Sequence, residues 1–118
     1  MVHGAGQCDS PFGMEDGSIG DNNIIATSSS NESSRASQAR LNLRNDNSTA
    51  GAWCAAQNKV GEYLQIDLGV VRQIQHLALQ GRPESLDFVK TFYLRYGNNG
   101  LDFINFGSNA TAKYKVIY

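Results

Sequence analysis

The sequence predicts an all-β fold, on three observations. Tyr63–Leu68 alternates strictly, with Leu64, Ile66 and Leu68 on one side and Tyr63, Gln65 and Asp67 on the other, the period of a strand with one face in a core. Twelve glycines against two prolines, with many Ser and Asn, suit short strands and turns better than long helices. Asn98-Asn99-Gly100 follows an alternating run, and Asn and Gly accept the positive φ of a tight hairpin turn. At 118 residues the chain is one domain with room for a single core.

The elements follow in order. Residues 1–7 form a disordered lead-in without the basic start and apolar stretch of a secretory signal. Cys8–Asn23 is a looped opening segment, rich in Gly, Asp, Ser and Asn, from which Phe12, Met14 and Ile19 reach the core. Ile24–Thr27 is a short strand that opens into the polar loop Ser28–Ser34. Ser37–Leu43 sets Ala39, Leu41 and Leu43 against Arg40 and Asn42, and Arg40 is the charge expected to be partly buried, in a structural ion pair with Asp67. Asn45–Thr49 is a second polar loop. Trp53, the only tryptophan, is read as a core aromatic, and Ala55–Gly61 as a turn.

Gly69 marks a break after the first strong strand. Val70–Leu79, rich in Val, Ile and Leu, is expected as a second strand deeper in the core, closed by Gly81. Arg82–Asp87 is a further loop. Phe88–Tyr96 alternates as a strand, the chain returns through Leu101–Phe106 after the Asn-Gly turn, and Tyr114–Tyr118 is the final strand.

Several function classes are excluded. A net charge of −1 with interspersed signs offers no field for nucleic acid. No apolar run approaches the roughly 20 residues of a bilayer-spanning helix. No metal site is expected: His3, His76, Cys8 and Cys54 lack ligand spacing, and Glu15, Asp16 and Asp21, the one calcium alternative, lack the EF-hand spacing. Gly17-Ser18-Ile19-Gly20 does not match a phosphate-binding glycine loop, and no nucleophile elbow or zinc signature occurs, so no cofactor is expected and the chain is not read as an enzyme. Cys8 and Cys54 are favoured as free thiols, with a bridge between them the open alternative. Asn31, Asn47 and Asn109 each begin an N-glycosylation sequon, relevant if the chain is secreted.

EYLQIDLG followed by LALQGR, with CDSPFGMEDGSI, IIATSSS, ASQARLN and GAWC upstream and FVKTFYLRYGNNGLDF downstream, resembles the discoidin family, the coagulation factor V/VIII type C domain. The resemblance runs from Cys8 to about Tyr118. It implies a galactose-binding-like jelly-roll β-sandwich over residues 8–118, truncated before the family's last core strands and its closing cysteine, the usual partner of the residue at Cys8. Such a truncated sandwich is expected to leave an open sheet edge. The family also implies an extracellular or cell-surface setting, within a longer chain.

Function is then expected in projecting loops that bind a cell-surface glycan or protein in adhesion. The candidate contacts are Ser29, Asn31, Ser33 and Arg35 in the first loop, Asn45 and Asn47 in the second, and Arg82, Glu84, Ser85 and Leu86 in the third. Two alternatives are an anionic phospholipid (phosphatidylserine) domain and a carbohydrate-binding accessory domain of a larger enzyme. A phospholipid membrane is the disfavoured partner, because the first loop lacks the exposed Trp, Phe or Leu that enters the acyl boundary in lipid-binding members. Leu86 alone supplies only about 2 kcal/mol on burial.

Overall fold

The computed structural model describes residues 2–4, 11–46, 48–90, 92–105 and 110–117. Cys8, Asn47 and Asn109 lie outside them. Among the described residues six strands run β1 Val2–Gly4, β2 Ile24–Ala26, β3 Leu64–Leu77, β4 Leu94–Gly97, β5 Ile104–Asn105 and β6 Ala110–Ile117. Every pairing is antiparallel, and the only helical elements among the described residues are three single 3-10 turns.

The long strand β3 organises the sheet. β2 pairs with its first half (Ile24 opposite Ile66) and β1 with its second (His3 opposite His76), while β6 follows its other edge through both halves. β4 continues outward from β6 and β5 from β4. Leu64, Ile66, Leu68 and Ile74 of β3 are buried with Ile24, Met14 and Ile19, and Phe12, Ala26, Trp53 and Leu77 pack against this cluster. The alternation of Tyr63–Leu68 therefore buries the face it was expected to bury. Phe12 also lies under the Arg72 guanidinium, 4.9 Å from ring centre to Cζ.

Four expectations are corrected. The two strands expected either side of Gly69 form one strand with a bulge: Asp67 faces Tyr114 and Arg72 faces Ala112, so β3 spends five steps where β6 spends two. Gly69 takes φ +82 within that excursion, and Val70 and Val71 project into solvent instead of lying deep in the core. Val2–Gly4, within the expected disordered lead-in, pairs with β3, whose second half has an edge to offer. Phe88–Tyr96 alternates, yet the ladder begins only at Leu94, which faces Ile117 at the end of β6; Phe88, Val89 and Tyr93 remain exposed.

The fourth correction concerns Arg40. Its side chain is 9% exposed, but its partners are the Asp21 carboxylate at 2.6 Å and the Met14 carbonyl at 2.8 Å, not Asp67. The reason is local. Ala36–Gln38 is a 3-10 turn and Asn42 adopts φ +61, so Ser37–Leu43 is no strand and turns Arg40 towards the opening segment. Asp67 instead accepts the Gly69 N–H at 2.8 Å, which steadies the bulge.

Candidate functional site

The first loop is fastened at its root. Ser28 and Thr27 donate their hydroxyls to the same Glu62 oxygen, at 2.6 and 2.5 Å, and Trp53 donates its indole N–H to the Ser28 carbonyl at 2.9 Å. The Ser28 hydroxyl, and then that of Thr27, favour the ionised form of Glu62 and hold its pKa below the ordinary value of 4.5. Within the polar loop the chain makes a 3-10 turn at Glu32–Ser34, followed by the one at Ala36–Gln38. Ser34 is buried, its hydroxyl 2.7 Å from that of Ser30 and 3.1 Å from Asn31 Oδ1, which also accepts from Ser33 at 2.6 Å. Arg35 is exposed and bonds Ser37 at 3.0 Å and, more loosely, Glu32 at 3.4 Å.

Backbone bonds tie this loop to the second. Ser30 N–H donates to the Cys54 carbonyl at 2.8 Å, Cys54 N–H to Ser34 at 3.1 Å, and Ala50 N–H to Ser33 at 2.8 Å. Cys54 is a free, half-buried thiol. Asp46 Oδ1 accepts the N–H groups of Ser48 and Thr49, each at 2.8 Å, and those donors lower its pKa from 3.8. Asn45 beside it is exposed.

Gly51 joins the second loop to the third. It adopts φ +69, and a Cβ there would stand 2.8 Å from both Pro83 Cγ and the Arg44 carbonyl carbon. Only glycine lets the two segments approach this closely. The third loop closes on itself: Arg82 N–H donates to the Asp87 carbonyl and Arg82 Nη1 to Asp87 Oδ2, both at 3.0 Å. Arg82 Nε is buried with no hydrogen-bond partner among the described residues. Between these ends Glu84 adopts φ +57, Ser85 accepts the Asp87 N–H at 3.1 Å, and Leu86 is 94% exposed.

The structure thus brings the three predicted loops into one connected surface. Asn31, Arg35, Asn45, Glu84, Ser85 and Leu86 are exposed on it, while Ser29, Ser33 and Arg82 are half-buried. Asp87 and Glu62 were missed as organisers. The spacing of Arg82 and Asp87 around Pro83 was the available signal for one, but nothing local links Glu62 to Ser28. A cavity of about 140 Å³ is lined by Leu41, Trp53, Leu77, Leu79 and Val89 together with Arg40, Gly51 and Gln80.

The three carboxylates weighed for calcium go separate ways: Glu15 accepts from Asn42, Asp16 from the Ser18 N–H, and Asp21 holds Arg40. No three His, Cys, Asp or Glu side chains gather among the described residues. Nor, among them, is any helix long and apolar enough to cross a membrane.

Residues 24–117 match the family model of the F5/8 type C domain. Curated relatives include epithelial discoidin domain-containing receptor 1 of Homo sapiens, 34% identical over 100 residues, which is 80% of this chain and 11% of that protein. Neuropilin-1 of Gallus gallus is 28% identical over 102 residues, covering 83% of this chain and 11% of the relative. Neuropilin-1a of Danio rerio is 30% identical over 101 residues, covering 82% and 10%. The chain spans about a tenth of the length of these relatives.

Proposed function

The chain belongs to the F5/8 type C domain family, whose fold is a galactose-binding-like β-sandwich, and from that premise we propose that it is a non-catalytic, extracellular recognition module for a cell-surface glycan or protein. The relatives named as receptors support a binding role of this kind. The ligand is met by the surface formed by the first, second and third loops. Exposed Asn31, Asn45 and Ser85 offer amide and hydroxyl groups, and Arg82 offers charge-assisted donors.

Arg82 is the observation that carries the reading. Asp87 holds Nη1 of this half-buried guanidinium and fixes the group at the base of the loop whose tip carries the exposed Leu86. A guanidinium fixed in the same loop as an apolar tip suits a ligand that joins an acceptor group to an apolar face.

The test is binding of the purified, folded chain and its Arg82→Ala variant to an array of glycans and extracellular proteins, alongside phosphatidylserine vesicles. Selective array binding lost in Arg82→Ala supports the proposal. Vesicle binding with no array signal would replace it with the lipid reading, which the exposure of Leu86, Phe88 and Val89 favours.

A further inference from the structure

The Asn-Gly turn carries chemistry that the loop surface does not use. Asn99 Oδ1 accepts two backbone N–H groups, from Leu101 and Asp102, each at 2.9 Å, and its Nδ2 donates to Asp102 Oδ2 at 3.1 Å. Both backbone bonds fold the side-chain amide forward over Gly100, which has no side chain to block it and adopts φ +74. We propose that Asn99 is a site of spontaneous deamidation in the folded protein.

The step balances as follows. The Gly100 backbone nitrogen, losing its proton to solvent base, bonds to Asn99 Cγ; the Cγ–Nδ2 bond breaks, and Nδ2 takes a proton and leaves as ammonia. Water then opens the resulting succinimide on either side, giving aspartate or isoaspartate. In the tetrahedral intermediate the negative charge builds on Oδ1, where two N–H donors already stand at the distance that stabilises an oxyanion.

The product has a structural cost. A carboxylate at position 99 replaces an amide donor facing Asp102, placing like charges where a hydrogen bond stood. Isoaspartate further lengthens the backbone by a methylene inside the turn that sets the pairing of Arg95 with Asn105 and Tyr96 with Ile104. Deamidation would therefore loosen β5 from β4.

The test is to hold the purified chain at physiological temperature and mildly alkaline pH, folded and in urea, and map isoaspartate with isoaspartyl methyltransferase and peptide mass. The expected result is label on the peptide spanning Asn99-Gly100 in the folded chain, at a rate within about tenfold of the unfolded chain, and its absence in Asn99→Gln. A folded chain protected by more than about tenfold would overturn the proposal, since its turn geometry would then oppose ring closure. Label that persists in Asn99→Gln would overturn the assignment to this residue.

Discussion

Ser28 donates its hydroxyl to Glu62 at 2.6 Å across 34 positions of sequence, and with the bond from Thr27 to the same oxygen it roots the first loop just ahead of β3. The Glu62 pKa lies below 4.5 in the folded chain, so its contribution to stability is complete above that value and is lost as pH falls through the lowered folded pKa. Glu62→Gln is expected to flatten this acid limb. Trp53 fluorescence during acid titration reads it directly, because its indole is bonded to the Ser28 carbonyl. Equal acid sensitivity in both proteins would remove Glu62 from this role.

Arg40→Ala is expected to destabilise the chain by about 2 kcal/mol, through loss of charge-assisted bonds to Asp21 and the Met14 carbonyl. Asp21→Ala should cost less, because Asp21 is 67% exposed and water replaces much of what it provides. Urea unfolding of both variants gives the order, and an Asp21→Ala cost equal to or above that of Arg40→Ala would overturn it.

Two glycines with similar φ separate strain from contact. Gly69→Ala meets nothing within 4 Å and should cost about 1 kcal/mol for its conformation alone. Gly51→Ala adds collisions with Arg44 and Pro83, and should cost more than about 2 kcal/mol. Only the second should also weaken ligand binding, because only it parts two of the loops. Thermal melts and the array measurement together decide this.

Leu86→Ser should change stability by less than about 0.5 kcal/mol, since the side chain already lies in water. Array binding should fall in this variant if the ligand's apolar face meets the loop tip. Arg82→Ala should lower affinity about tenfold or more, as expected for a fixed guanidinium at a recognition surface.

How much of this was legible depends on the range of the interaction. The buried face of β3 is written in Leu64, Ile66 and Leu68, since a period of two needs no knowledge of neighbours. Phe12, Met14, Ile19 and Trp53 were legible as large apolar side chains in otherwise polar stretches. The partner of Arg40 was not, because choosing Asp21 over Asp67 depends on a 3-10 turn that leaves no strong local pattern. The same holds for Phe88–Tyr93, whose alternation is that of a strand but whose pairing depends on where β6 ends. In the candidate site, polar loop composition marked the surface, while the links at Gly51 and Glu62 depend on three-dimensional approach.

The bonds joining the first two loops run between peptide groups: Ser30 to Cys54, Cys54 to Ser34, Ala50 to Ser33. Any residue except proline can supply such a donor, and every residue supplies the acceptor. The side chains at exposed positions such as Arg44 and Asn45 can therefore be exchanged while the frame keeps its shape. A library randomised at those positions would inherit a rigid scaffold, and new specificities could be selected on it without redesigning the fold.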